Sequence, residues 1–540
     1  MQEGHRLRFQ TPAGEGLLET GPSEAGATLC DVLLRGGVEL NTRCGMRGLC
    51  RGCEVELTAG RVDLGDGREV AAPATIRACL ARTMSRETAI RIPQRSMAGH
   101  RPIAISEFEI IIPFAHDPIF PATGGGVALA TDIGTTTVAM IAVDISNGKI
   151  LAEAGDFNRQ IRFGDNVLTR IHRAGEGPEM LARLQSCVAA ETLRPLAMRV
   201  CAKAGVSPAS VRGMTVAGNT VMLHLLAGED PSPLGVAPFR ARFLEPRRLG
   251  AAALGIDGAD WPVQLLPGLS AYVGADLAAG VHATGMHFAG KPTLLVDAGT
   301  NGEIVLKTRD RLLGCATAAG PAFEGGMLSC GARAVPGAIC HIRMTADPFH
   351  IETRIIGDHP PQGICGTGTL DFLAEARRVG LLNHAGRFDD GALARVPPDL
   401  LRDGDGGRAI ALGQSGDRDI SISEVDIAHL LQAKAAIAAG IRTLLEREGL
   451  TPADISRVLL AGGFGRHIDP ESAVRCGLLP GFRADQIEAV GNTSLAGAYI
   501  ALLDRSALQE MDEIRARIEI VELNLDPGFE DRFIDELALP

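Results

Sequence analysis

Val127-Ala128-Leu129-Ala130-Thr131-Asp132-Ile133-Gly134-Thr135-Thr136-Thr137-Val138-Ala139-Met140-Ile141-Ala142-Val143 reads as a strand, a tight turn and a second strand. A similar phrase returns 165 residues later (Asp132 to Asp297): Leu294-Leu295-Val296-Asp297-Ala298-Gly299-Thr300-Asn301-Gly302-Glu303-Ile304-Val305-Leu306. Both place Asp-x-Gly-Thr at the end of a buried apolar run. Gly218-Asn219-Thr220 is then matched by Gly491-Asn492-Thr493. Two echoes in the same order predict two similar subdomains facing each other, not a short-period solenoid. The chemistry of Asp-x-Gly-Thr is that of phosphate. Glycine lets backbone amides approach phosphate oxygens, and threonine hydroxyls add donors. Asp132 and Asp297 stand where a hydrated magnesium needs a carboxylate. No Gly-x4-Gly-Lys-[Ser/Thr] loop occurs, so this is not the P-loop solution.

Length and composition bound the rest. At 540 residues the chain exceeds what one core serves, and two to four domains are expected. With 46% hydrophobic and 22% charged residues it reads as a folded, turn-rich α/β chain. A net charge of −12 and only 4% aromatics argue against nucleic acid as partner, because neither phosphate neutralisation nor base stacking is provided for. Asp132 and four threonines interrupt the most apolar stretch, so no membrane span is expected. Met1 to Arg6 leads into a strand-like run rather than a signal peptide, which predicts a cytoplasmic protein.

Residues 1–92 read as one small domain built around Cys44-Gly45-Met46-Arg47-Gly48-Leu49-Cys50-Arg51-Gly52-Cys53, with Cys79 following after 25 intervening residues. Cys44, Cys50, Cys53 and Cys79 fit the thiolate set of a 2Fe–2S cluster, with a first gap one residue longer than the plant-type run. A zinc site usually shows two close Cys-x2-Cys pairs, and Cys79 has no near partner. Disulfides suit exported chains. Arg43, Arg47 and Arg51 surround the loop, either merely solvated or favouring the reduced cluster and docking an acidic redox partner. The other eight cysteines, Cys30 among them, are scattered without ligand spacing and read as buried thiols. Strand, helix (Thr28 to Arg35), cluster loop and further strands follow in the order of a β-grasp ferredoxin, which the domain resembles.

Residues 93–125 hold five prolines and end in glycines, as a linker that lets the cluster domain move, although Ser106 to Ile112 is apolar enough to dock. Residues 126–285 and 286–540 are expected to form the two subdomains. Helical spacing covers Glu179 to Ala204 and Glu424 to Gly449, and Phe529 to Leu537 reads as a docking helix. A strand runs into Gly462-Gly463-Phe464-Gly465, glycines that can lie flat against an adenine.

Together these motifs resemble the acetate kinase, sugar kinase, Hsp70 and actin superfamily, whose two phosphate motifs and adenosine motif match Asp132–Thr137, Asp297–Gly302 and Gly462–Gly465. Gly320-Pro321-Ala322-Phe323-Glu324-Gly325-Gly326, Tyr272 to Asp276, and Ile364 to Asp371 resemble the branch found in reductive activators of corrinoid proteins. That resemblance covers nearly the whole chain. It implies an α+β β-grasp 2Fe–2S domain followed by an α/β actin/Hsp70-like ATPase module of two RNase H-like subdomains. It implies ATP and Mg2+ as cofactors, with Gly134, Thr135, Thr136, Gly299, Thr300, Asn301, Gly302, Gly462, Gly463 and Phe464 holding nucleotide. Asp132, Asp297 and Glu324 become catalytic candidates, and Asp276 and Asp371 pocket candidates. The partners it implies are a corrinoid protein of a methyltransferase system and an upstream ferredoxin or flavoprotein, and it leaves a homodimer open. The expected activity is ATP-dependent one-electron reduction of cob(II)alamin to cob(I)alamin, with hydrolysis releasing the partner. Two alternatives are a small-molecule kinase carrying a ferredoxin redox sensor and an ATP-dependent redox chaperone.

Overall fold

A computed structural model describes residues 5–540 except positions 13, 21–25, 41, 43–45, 47, 49–52, 94–95, 98–107, 109–111, 113, 115, 122–125, 165, 256–260, 405, 417 and 463–466. At the N-terminus, β1 (His5–Thr11), β2 (Gly14–Thr20), β3 (Glu54–Ala59), β4 (Ala74–Arg77) and β5 (Glu87–Arg91) form one sheet in the order β2-β1-β5-β3-β4. The first and last strands pair in parallel at its centre, as in a β-grasp. Helix α1 (Leu29–Arg35) begins at a reciprocal cap between Thr28 and Asp31 and lays Leu29, Val32 and Leu33 into the core.

The two Asp-x-Gly-Thr phrases open two sheets of one design. In the first, β6 (Val127–Ile133), β7 (Thr137–Asp144) and β8 (Lys149–Phe157) form an antiparallel meander, and β9 (Val211–Gly218) pairs in parallel with β6. With β10 (Arg247–Gly250) and β11 (Pro262–Leu265) the order is β8-β7-β6-β9-β11-β10. In the second, β12 (Thr293–Ala298), β13 (Gly302–Lys307) and β14 (Leu312–Thr317) repeat the meander. Parallel β15 (Arg457–Gly462) and β16 (Ile487–Gly491), with β17 (Ile518–Ile520), complete the order β16-β15-β12-β13-β14-β17. Both central strands are buried on both faces, which is why they read as continuous apolar runs rather than alternating ones.

Two helices cross between the halves. Helix α2 (Thr220–Ala227) stays with the first sheet, but α3 (Ala275–Thr284) also sends Leu277, Ala278 and Val281 against the second. In the second half, α4 (Gly366–Arg378) lies on the small sheet containing Ala338–Ala346, and α5 (Glu424–Arg447) backs β13 and β14. Then α6 (Thr493–Leu503) returns to the core of the first sheet and packs directly on α3. Gly497 permits this contact: a Cβ there would lie 2.5 Å from both Cβ and the carbonyl oxygen of Ala279. A division of the chain at 285/286 therefore follows the backbone but not the cores.

The second echo has a different origin from the first. Asn219 follows β9, the fourth strand of its half, whereas Asn492 follows β16, the fifth strand of the other. They are not counterparts. The linker also differs from a free tether where it is described. Asp117 and Ile119 donate backbone hydrogen bonds to Leu503 and Leu502 at 2.9 and 3.2 Å, and Phe120 is buried in the first subdomain. Phe108, in the apolar stretch, packs on Tyr499. The expected helix over Glu179–Ala204 is interrupted by a π turn at Ala189–Leu193, and the C-terminal helix α7 (Phe529–Asp535) docks on α5.

Candidate nucleotide cleft and cluster site

The Gly134–Thr137 turn and the one-residue-shorter Gly299–Asn301 turn are each closed by their glycine amide. The amide of Gly134 donates to the carbonyl of Thr137 at 2.9 Å, and that of Gly299 to Asn301 at 3.0 Å. A Cβ on Gly134 would strike the Thr137 oxygen at 2.7 Å, so the first turn requires glycine. The turns meet tip to tip, with 2.8 Å between the hydroxyls of Thr136 and Thr300. Thr300 donates its one proton to Glu324 Oε2 at 2.9 Å, which makes Thr136 the donor in the first bond. The described part of the cleft between them encloses about 100 Å3.

Five carboxylates line this space: Asp132, Asp276, Asp297, Glu303 and Glu324. Asp132 accepts from Ser494 Oγ at 2.7 Å and Asn492 Nδ2 at 2.9 Å, yet burial still raises it. Burial, with the charges of Asp276, Asp132 and Glu324, pushes Asp297 up to about 8. Burial and Asp132 raise Asp276 to about 7, and burial with Asp276 and Asp297 holds Glu303 well above the usual range. Acids crowded in this way ionise together only beside a cation. Among the described residues no three His, Cys, Asp or Glu side chains form a ready metal cage. Magnesium fits nonetheless, because it keeps several waters and takes one or two carboxylates plus phosphate oxygens.

The structure brings Gly134, Thr135, Thr136, Gly299, Thr300, Asn301 and Gly462 to this cleft with Asp132, Asp297 and Glu324. Gly302 is the first residue of β13 beside it. Gly462 has φ +108°, and a Cβ there would meet Asp297 Oδ1 at 2.6 Å. Gly463 and Phe464 lie outside the described residues. Asp276 lines the cleft but Asp371 does not; its carboxylate accepts the amide of Ile342 and faces His341 Nδ1. Sequence reasoning missed Asn219, Glu303, Asn492 and Ser494 as cleft residues. The Gly-Asn-Thr echo was the signal for two of them.

In the cluster domain the antiparallel register pairs Glu54 with Arg77, which sets Cys53 across from Ala78 and Cys79. That register accounts for the 25-residue gap, which the chain fills with strands. Both thiols are buried, and hydrogen bonds with Cys30 and Cys79 hold Cys53 below the usual thiol range. Cys30 lies against them rather than apart. The first turn of α1 grips the same segment, Leu29 and Cys30 donating to the carbonyls of Ala81 and Ala78 at 2.8 and 3.2 Å. Cys44, Cys50 and the three loop arginines lie outside the described residues. The donor chemistry present suits an iron–sulfur cluster.

Among the described residues an ion pair joins the two sites. Arg159 binds Glu39, shortly before the cysteine loop. Its neighbour Asn158 donates from its amide to Thr136 at 2.9 Å and from Nδ2 to Gly134 at 3.0 Å. The amide of Arg159 itself is held by Thr192, in the π turn, at 3.1 Å. The first phosphate turn and the cluster domain thus rest on opposite sides of one short segment.

Among the described residues no helix is long and apolar enough to cross a membrane. Residues 15–83 match the 2Fe-2S iron-sulfur cluster binding domain, 127–289 the RACo middle region, and 291–540 the C-terminal domain of RACo, the ASKHA domain. The corrinoid activation enzyme RamQ of Eubacterium limosum is 33% identical over 421 residues, covering 75% of this chain and 69% of its own. The [Co(II) methylated amine-specific corrinoid protein] reductase of Methanosarcina barkeri is 26% identical over 72% of each. A solved reductive activator for corrinoid, iron-sulfur protein superposes with a TM-score of 0.75 at 29% identity, covering 99% of this chain and 98% of that one. With a β-grasp cluster domain ahead of two facing subdomains of matching strand order, the chain belongs to the RACo family of corrinoid activation proteins.

Proposed function

We propose that this protein is an ATP-dependent reductive activator of a corrinoid protein. Its cysteine site would hold a 2Fe–2S cluster, which would supply one electron to convert cobalt(II) of the partner's corrinoid to cobalt(I), with a ferredoxin or flavoprotein as the upstream donor. The observation that carries the reading is the pairing, on one chain, of a buried cysteine site with a carboxylate-lined cleft between two phosphate-type turns. Such a combination is useful where electron transfer is uphill. For one electron each 59 mV is a factor of ten, so a gap of roughly 180 mV opposes transfer about a thousandfold, or ~4 kcal/mol.

The residues divide that work. Asp132 and Asp297 would hold the magnesium, whose charge supplies the stabilisation of phosphate oxygens during hydrolysis. Gly134 and Gly299 let the backbone approach phosphate, Thr135 offers its hydroxyl, and the hydroxyls of Thr136 and Thr300 would be freed for phosphate when the turns part. Cys44, Cys50, Cys53 and Cys79 would hold the cluster. Parting and closing of the two turns gives ATP a way to change the shape presented to the partner, so that release precedes back-transfer.

The test mixes reduced protein, MgATP and a cobalt(II) corrinoid protein and follows cob(I)alamin absorbance. Cobalt(I) should accumulate only with all three present. Cys53→Ala should abolish it and leave nucleotide binding intact. Absence of cobalt(I) with several such partners overturns the reading. Phosphorylation of a metabolite without a protein partner would point instead to a kinase, and ATPase stimulation by unfolded clients to a chaperone.

A further inference from the structure

Asn219 lies at the end of β9 and caps α2, its Oδ1 accepting the amide of Val221 at 3.0 Å. That bond fixes which end of the amide is oxygen, and turns Nδ2 away from the helix. The residue lines the cleft, is only 3% exposed, and its Nδ2 has no hydrogen-bond partner. Among the described cleft residues it alone carries such an unpartnered buried side-chain atom. An unmet buried donor is costly, and five carboxylates nearby leave it so.

The matching strand order of the two halves says which part of a nucleotide it faces. Gly218 ends β9 opposite Ile133 just as Gly462 ends β15 opposite Ala298. A Cβ on either would strike the facing carbonyl, at 2.7 and 2.5 Å. In the second half the adenosine-type glycine run opens at Gly462 itself. In the first half the residue after Gly218 is Asn219, which the register sets next to Gly134 of the first phosphate turn. We propose that Asn219 Nδ2 donates to an oxygen of the terminal phosphate of bound nucleoside triphosphate, and so tells triphosphate from diphosphate. This rests on the nucleotide reading of the cleft given above.

Asn219→Ser separates this role from the cap, because serine accepts the same helix amide but presents no amide donor. The full-length holoprotein would be titrated with MgADP and with the magnesium complex of the imidotriphosphate analogue of ATP. A bond to a charged oxygen predicts that the variant binds the analogue about tenfold more weakly, with MgADP affinity kept within about twofold and the melting temperature unchanged. Equal weakening of both nucleotides, or of neither, overturns the proposal. If the serine variant does not fold, Asn219→Asp, which also keeps the cap, is read by the same ratio. Wild type that binds neither nucleotide would instead remove the cleft reading itself.

Discussion

Asp297 shows how one residue records its burial among like charges. Its pKa of about 8 follows from burial first and from Asp276, Asp132 and Glu324 second, and that of Asp276, about 7, from burial and Asp132. An unfolded chain releases these protons near pH 4, so between there and the folded values the native state binds more protons than the unfolded one. Their contribution to stability is therefore complete at low pH and is lost as pH rises through 7 to 8. The metal-free protein should melt at falling temperature from about pH 5 to about pH 9, and MgATP should raise melting most at the upper end. Asp297→Asn should flatten that fall and lower ATPase turnover by about 10²–10³-fold, read by calorimetry and phosphate release. The aspartates themselves were legible, because each closes an apolar run before a glycine. The partners of Asp132 were not, since Asn492 and Ser494 come from a helix start some 360 positions on. Asp371, a pocket candidate only through the family resemblance, has a local partner that its sequence position does not reveal, the amide of Ile342.

At the scale of elements, the hairpins carrying both phosphate turns could be read directly, because each is made of neighbours in sequence. What escaped was the exchange of α3 and α6, whose apolar residues say only that they are buried, not in which half. Their crossing depends on small residues. Gly280 approaches Thr493 and Gly497 approaches Ala279, both closer than a Cβ allows. Gly497→Ala should cost about 1–3 kcal/mol by overpacking and lower the melting temperature, whereas Gly290→Ala, with nothing within 4 Å, should not. Thermal melts of the two variants side by side check this. Cys30 belongs to the same lesson. Its spacing says nothing, and only the packing of α1 on the Cys79 segment brings it to the cluster site.

Over the whole molecule, the ion pair described between cleft and cluster domain is light. The Arg159 and Glu39 side chains are 29% and 37% exposed, and ion pairs so placed are worth about 0–1 kcal/mol. Arg159→Ala should therefore shift the docked population of the cluster domain by up to about fivefold and not abolish it, seen as faster proteolysis between residues 93 and 125 and a larger scattering radius. A contact of that strength can be made and broken within one turnover. The return of α6 has a different consequence, which concerns how the protein is made. Emerging from a ribosome, the cluster domain owns all its strands once residue 91 is out, and can close around its core. The first ATPase subdomain cannot do the same. Its core lacks Leu495, Ile500, Leu502 and Leu503 until residue 503 has appeared, so hundreds of residues must wait together for one late helix. A chain ending at residue 490 should keep a folded N-terminal domain but lose the cooperative melt of both ATPase subdomains at once.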